Sequence, residues 1–169
     1  MIFREIEDVH WKNILEIQDQ SYREVCTEEL DVLKSKNDAS PDTCFVCLSK
    51  NGAVEGYLLA HPWSGISPPK LFEPLPNIEN CEYLYLHDMA VNPQSKGNGI
   101  GRTAALKLFE VAKEKGINRI TLVAIQGAES FWSVFGFQEV KGMAISSSYG
   151  DKAVLMEKVL DVDNQLLGR

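Results

Sequence analysis

No stretch of this chain approaches the ~18 consecutive apolar residues that suggest a membrane-spanning helix. The opening MIFREIEDVHWK also lacks the basic-then-apolar form of a secretory leader. A cytoplasmic protein with no membrane partner is therefore expected. Basic residues are in deficit, with 17 Lys and Arg against 24 Asp and Glu, a formal charge of −7 and a pI near 5.0. That balance argues against nucleic acid, whose phosphates need a basic footprint. It would draw a cationic amine, weakly and in a salt-dependent way. Cysteine is limited to Cys26, Cys44, Cys47 and Cys81, expected as free thiols in a reducing compartment. Cys44-x-x-Cys47 has the spacing of half a zinc motif, but no second pair exists. The two also lie in a strand-like stretch, where residues three apart point to opposite faces, so no metal is expected. Internal repeats and low-complexity tracts are missing too. What remains is ordinary globular composition, 44% hydrophobic and 24% charged, read as a single domain over residues 1–169.

The periodicity predicts a first helix over 9–22, carrying Trp11, Ile14, Leu15, Gln18 and Tyr22 at helical spacing. Thr27-Glu28-Glu29 reads as an N-cap with acids in the first turn of a second helix, running to about Lys36. Two strands, Cys44–Ser49 and Val54–Ala60, flank Asn51-Gly52, a strong hairpin signal. Residues 61–80 hold Pro62, Pro68, Pro69, Pro74 and Pro76 and read as a long irregular connection. Tyr83–Val91 is an apolar strand ending at Asn92-Pro93. A helix over 99–115, a strand over 119–125, a short helix over 127–134 and two final strands, 137–140 and 153–159, complete the reading. The end from Asp161 is expected to fray.

The glycine-rich loop between the strand and the helix is the most informative segment. Gln94-Ser95-Lys96-Gly97-Asn98-Gly99-Ile100-Gly101 lies where a strand feeds a helix N-terminus. There, unblocked amides and roughly half a positive charge can meet a phosphate. No Gly-Lys-Ser/Thr closes it as in a Walker loop, and the glycines at 97, 99 and 101 miss the dinucleotide spacing. The spacing that fits is Gln94-x-x-Gly97-x-Gly99. Farther along, Phe131-Trp132-Ser133-Val134-Phe135-Gly136-Phe137 resembles a Phe-Tyr-x-x-x-Gly-Phe segment. With the order strand, loop, long helix, strand, short helix, these two segments resemble the GNAT superfamily of acyl-CoA-dependent N-acetyltransferases. The resemblance covers about residues 1–160, and its specific core is residues 84–137.

It implies an α/β (α+β) fold with a mixed, mostly antiparallel central sheet of six to seven strands. It further implies a splayed pair of parallel strands and about four flanking helices. The co-substrate is acetyl-CoA, and the reaction is direct attack by a primary amine, from a small molecule, an amino acid or a peptide. By resemblance, amides of Lys96, Gly97, Asn98, Gly99, Ile100, Gly101 and Arg102 hold the pyrophosphate, with Gln94 opening the motif and Lys96 and Arg102 adding charge. Met89, Ala90 and Val91 offer their backbone to the pantetheine arm, with the Met89 N–H a donor to the thioester carbonyl. Gln126, Ser130 and Trp132 lie on the cofactor side. Relatives often carry an asparagine at the first of these positions and a tyrosine at the last. Trp132 cannot act as that tyrosine's acid, which leaves Ser130, Ser133 or water, with Tyr149 a distant candidate.

His87 is the leading side chain for catalysis. An imidazole, with an ordinary pKa of about 6.5, suits removal of an ammonium proton. Strict alternation places Tyr85 and His87 on one face of the strand, with Leu84, Leu86 and Asp88 on the other unless a bulge intervenes. Asp88 must find a partner. It orients His87, binds the amine or caps backbone at such a bulge. Tyr22, Trp63 and Tyr85 are expected to wall the acceptor pocket. The alternative is a non-catalytic acyl-CoA-binding or sensing module. Relatives often pair, so a homodimer is the assembly the resemblance suggests.

Overall fold

The structure, a computed structural model, describes residues 1–161, and the expected frayed end beyond Asp161 lies outside the described residues. Its elements are β1 (Ile2–Arg4), α1 (Trp11–Ser21), α2 (Leu30–Ala39), β2 (Cys44–Leu48), β3 (Val54–Trp63), β4 (Tyr83–Val91), α3 (Ile100–Glu114), β5 (Arg119–Ala124), α4 (Glu129–Val134), β6 (Gln138–Glu139) and β7 (Val154–Val159). Seven strands form one sheet in the order β1-β2-β3-β4-β5-β7-β6. Every pairing is antiparallel except β4 with β5. Parallel neighbours need a crossover, and α3 supplies it. Among the described residues no helix is long and apolar enough to cross a membrane.

Each face of the sheet buries its own apolar cluster. Phe45, Leu58, Leu84, Leu86, Ile120 and Leu122 pack with Ala104, Leu108 and Ala112 of α3 and with Trp132 of α4. On the opposite face, Val46, Tyr57, Leu59 and Ala90 pack with Trp11, Ile14 and Ile17 of α1 and Leu33 of α2. Side chains such as Leu58, Leu84, Leu108 and Ile120, fully buried, each contribute roughly 1.5–3 kcal/mol of transfer free energy. Cys44 and Cys47 are both buried and free, and burial pushes the Cys44 thiol up to about 12. Among the described residues no cluster of three or more His, Cys, Asp or Glu is placed to hold a metal ion.

Three departures from the sequence reading have plain causes. β1 was not read at all, because three residues are too short for periodicity to register. β3 runs on to Trp63, through Pro62. Past Leu59 it has no β2 neighbour, so the missing proline N–H costs no ladder bond there. α2 begins at Leu30 with Glu29, not Thr27, at its N-cap, which releases Glu28 for other duty.

Gly56 is where the sheet meets the start of α3 most closely. A Cβ there would lie 3.0 Å from Ala90 O and 3.1 Å from Ile100 Cγ2. Gly56→Ala is therefore expected to destabilise the fold by about 1–3 kcal/mol, read as a lower urea midpoint at unchanged slope. A midpoint equal to wild type contradicts that close approach.

Candidate active site

β4 and β5 pair only over Leu84–Leu86 and Ile120–Leu122, although β4 continues to Val91 and β5 to Ala124. Beyond Leu86 the strands part. On its other side β4 stays paired with β3 to its end, and Asn92 N–H donates to Glu55 O at 2.8 Å. Backbone groups along a strand alternate in the side they face. Ala90 is thus committed to β3, whereas Met89 and Val91 turn their N–H and C=O toward the opening. The Tyr22 hydroxyl at 3.1 Å from Met89 O is consistent with that phase. Ala90 drops out as a main-chain partner for an arm in the opening, because the ladder uses it.

A cavity of about 640 Å³ occupies the gap, lined by Leu86–Val91, Leu122–Gln126, Ser95–Gly97 and Gly99–Arg102. Gly97 and Gly99 have φ of +86° and +74°, the left-handed region that glycine enters freely. A Cβ on either would meet nothing within 4 Å, so backbone conformation, not crowding, calls for glycine at both positions. The Ser95 N–H donates to Asn92 O at 2.8 Å, and from Lys96 onward the first amide to find a main-chain acceptor is that of Thr103, to Gly99 O at 3.0 Å. The amides before it form the unfilled N-terminal end of a 15-residue helix. Lys96 and Arg102 border the same cavity. Gln94 and Asn98 are exposed and stand outside its wall; the Gln94 N–H turns back to Asn92 Oδ1 at 3.0 Å.

The other end of the cavity is built around a bulge in β4. Leu59 opposes Asp88 while the next residue, Ala60, opposes Leu86, so His87 is the extra residue. The register before it puts Leu84 and Leu86 on the α3 face. After it Met89 keeps that face, and Asp88 swings to the α1 face. The simple alternation that set Asp88 opposite His87 is overturned by the bulge. His87 Nε2 lies 2.5 Å from Glu28 Oε1, with both side chains buried, and its Nδ1 has no partner among the described residues. Burial pushes the Glu28 carboxyl up. The His87 hydrogen bond and charge, the Phe72 N–H at 2.9 Å and the Lys36 ammonium outweigh it and leave Glu28 below the usual carboxylate range. Gln18 of α1 fixes the Glu28 backbone through two hydrogen bonds, at 2.9 and 3.1 Å.

The Tyr22 hydroxyl meets Asp88 Oδ1, and the Tyr57 hydroxyl donates to Oδ2 at 2.7 Å. Burial raises its carboxyl, with Glu28 acting the same way, against His87 and the two hydroxyls. His61, across the sheet ladder in β3, is fully buried, and burial holds its ring down to about 3, neutral throughout the physiological range.

Not every expected residue reaches this cavity. Trp63 and Tyr85 lie outside its wall: Trp63 Nε1 donates to Ser67 O at 2.9 Å, and the buried Tyr85 hydroxyl meets that of Tyr149 at 3.2 Å. Tyr149 itself borders the cavity, but its hydroxyl is committed to Pro69 O at 2.5 Å. Ser130 is exposed on α4, outside the wall. The Ser133 hydroxyl donates to Glu129 O at 2.8 Å within the same helix, so neither serine serves as an acid there. Trp132 lines the cavity while packing in the core, edge-to-face with Phe131. Gln126 also lines it, but its amide serves the protein. Oε1 accepts from the N–H groups of Arg23 and Glu24 at 3.2 and 3.1 Å, and Nε2 donates to Ser21 O at 3.1 Å. That clamps the α1–α2 connection to the end of β5, from a backbone φ of +53°.

Glu28, Tyr57, Gln18 and Cys26 were passed over in the sequence. Glu28 sits where a helix cap reads naturally, Gln18 reads as part of the first helix's stripe, Tyr57 lies inside the strand Val54–Ala60, and Cys26, exposed at the cavity rim, is a lone thiol. Nothing within a few residues of any of them announces a shared site.

Comparison with known proteins agrees with this geometry. The model of the Acetyltransferase (GNAT) family matches residues 11–137. An uncharacterized N-acetyltransferase of Methanocaldococcus jannaschii is 38% identical over 72 residues, 39% of this chain and 32% of that protein. The aligned region thus spans about a third of that relative's length. Ard1 from Thermoplasma volcanium superposes with a TM-score of 0.72 at 15% identity, covering 94% of this chain and 97% of that one. Naa20 from Chaetomium thermophilum, solved with a bisubstrate analogue, does so with a TM-score of 0.71 at 19% identity, covering 96% and 88%. At such identities the superpositions speak for the fold alone.

The Gln126 clamp gives a direct expectation. Gln126→Ala removes three hydrogen bonds, and the Arg23 and Glu24 amides should exchange with deuterium at least about tenfold faster, since each lost bond is worth about 1 kcal/mol. Unchanged exchange contradicts the clamp.

Proposed function

The chain belongs to the GNAT acetyltransferase family, and on that premise we propose that it transfers the acetyl group of acetyl-CoA to a primary amine by direct attack in a ternary complex. The observation that carries the reading is the opening between β4 and β5 beyond Leu86, bordered at one end by unpaired loop amides and at the other by a buried acid–imidazole pair. The loop Lys96–Arg102 suits the diphosphate: fixed amides, a helix N-terminus and two cations converge there. The free edge of Met89 and Val91 suits the amide-bearing arm of the carrier, as an added strand would pair. The Met89 N–H, facing the opening, is a donor for the oxyanion of the tetrahedral intermediate.

At the acceptor end, His87 takes the ammonium proton so that a neutral amine can attack. Glu28, held as a carboxylate, fixes the ring through Nε2 and favours the imidazolium that results. The acceptor is a small-molecule or peptide amine. Tyr22 remains at the wall, and Trp63 and Tyr85 hold the surrounding loops instead. Cys26 at the rim is not needed as a nucleophile in a direct transfer.

Thiol release from acetyl-CoA, measured against a panel of amines, amino acids and short peptides, tests this. His87→Ala and Glu28→Gln are each expected to lower kcat/KM for the acceptor by about 10²–10⁴ with the affinity for CoA unchanged, while Cys26→Ser keeps the wild-type rate. Thermal stabilisation by CoA with no turnover on any acceptor would instead make this a binding or sensing module. Loss of turnover in Cys26→Ser would make the transfer a two-step one.

A further inference from the structure

Acetyl transfer breaks a C–S bond, and the thiolate that departs must be protonated or stabilised. The Tyr149 hydroxyl donates to Pro69 O and has beside it the Tyr85 hydroxyl, itself a weak acid, in place of a carboxyl that could return a lost proton. Ser133 donates within its own helix, and an indole such as Trp132 is no acid. Ser21 also borders the cavity, but a serine hydroxyl is a far weaker acid than a phenol. Tyr22 is differently placed. It lines the cavity, and its Oη lies 3.1 Å from Met89 O, a group on the open edge of β4.

The hydrogen inventory around that hydroxyl is informative. Tyr22 Oη stands between two acceptors, Asp88 Oδ1 and Met89 O, and has one hydrogen to give. If Asp88 is a bare carboxylate, Tyr22 donates to it and the Met89 carbonyl faces a lone pair. If Asp88 holds a proton on Oδ1, that proton goes to Tyr22 Oη, Tyr22 donates to Met89 O, and Tyr57 donates to Oδ2 at 2.7 Å. Every polar atom of the cluster is then satisfied, as buried groups require. The groups facing Asp88 are Tyr22 from the end of α1, Tyr57 from β3, His87 beside it in β4 and Glu28 ahead of α2. Burial is the largest influence and favours the protonated acid, and the nearby Glu28 carboxylate opposes a second negative charge. Burial and Asp88 likewise push the Tyr22 phenol well up, so a phenolate cannot be left standing there. Tyr22 can release its proton only by taking another in the same movement.

We propose that Tyr22 delivers the proton to the departing thiolate and that Asp88 stores a replacement proton directly behind it. This rests on the acetyl-transfer reading above. As the C–S bond breaks, the electron pair goes to sulfur and the Tyr22 Oη proton follows it, while the Asp88 proton moves to Tyr22 Oη. The amine nitrogen gives up two protons, the first through His87 to water before attack and the second to His87 as the tetrahedral intermediate collapses. The cycle therefore ends with an imidazolium on His87 beside a carboxylate on Asp88, and exchange through water resets both. Two protons have left nitrogen, one has reached sulfur and one has gone to solvent. Tyr22 is the catalytic residue of this step and Asp88 a positioning residue that acts through it.

The test pairs two acetyl donors. With acetyl-CoA, Tyr22→Phe should lower kcat by about 10²-fold and leave KM for acetyl-CoA unchanged. With the acetyl thioester of nitrothiobenzoate, whose thiolate departs without a proton, the deficit should fall to about threefold or less, because the general-acid contribution is no longer needed. An equal deficit with both donors would mean that the hydroxyl merely holds the fold, and no deficit with either would remove Tyr22 from the reaction. Infrared spectroscopy reads the store separately. Wild-type protein at neutral pH should show the carbonyl stretch of a protonated, buried carboxylic acid, and Asp88→Asn should lack it. Absence of that band in wild type overturns the proton store whatever the kinetics. Should wild type turn over no acceptor with either donor, the acetyl-transfer reading fails, and the infrared band still decides the state of Asp88.

Discussion

One extra residue in β4 sets the geometry of the whole candidate site. By inserting His87 against β3, the bulge shifts the phase of the strand, and past it β4 keeps its hydrogen bonds to β3 but no longer to β5. The ladder must satisfy each main-chain group once, and beyond Leu86 the groups on the β5 side have no strand to pair with, Met89 O meeting the Tyr22 hydroxyl there. A sheet that closed fully would have no room for a carrier. This one holds a cavity of about 640 Å³ where two strands diverge, with helices packed on both faces of the sheet.

The same bulge gathers the chemistry. It turns Asp88 to the α1 face, where Tyr22 and Tyr57 receive it, and leaves His87 aimed at Glu28. Five ionisable or hydroxyl-bearing side chains from β3, β4 and the two ends of the α1–α2 connection thus converge at one end of the cavity. The unpaired amides of the loop that opens α3 occupy the other end. Gln126 and Gln18, both amides, hold the α1–α2 connection in place from opposite ends, through Ser21, Arg23 and Glu24 on one side and Glu28 on the other. The connection that carries Tyr22 and Glu28 is therefore fixed by side-chain amides and not by regular structure.

The parts of this arrangement legible in the sequence were those governed by local chemistry. Asn51-Gly52 marked its hairpin, the helical stripe of Ile100, Ala104, Leu108, Val111 and Ala112 marked α3, and Gly97 and Gly99 marked a loop whose positive φ only glycine tolerates well. The splayed parallel pair followed from the family resemblance. What was hidden depends on register between distant strands. A bulge leaves no signature in Tyr83–Val91 itself, so the sequence places Asp88 opposite His87 only on condition that no bulge intervenes, and the bulge is there. Glu28 looked like a first-turn acid because its neighbours Thr27 and Glu29 do, and its partner lies 59 residues away. Gln126 was read as a cofactor ligand because its chemistry permits that, whereas the backbone it serves comes from the other end of the domain. Trp63 and Tyr85 were aromatic and near the right strand, yet their position relative to the cavity depends on how the proline-bearing loop folds back.

The central claim is that the main chain of Met89 and Val91, together with the amides from Gly97 to Arg102, receives the acyl carrier. A crystal structure of the protein with CoA addresses it most directly. The account predicts the diphosphate within hydrogen-bond reach of the loop amides and the pantetheine amides paired with Met89 and Val91, with β4 and β5 still parted beyond Leu86. CoA bound elsewhere, or a sheet closed through Met89 in the complex, would contradict it.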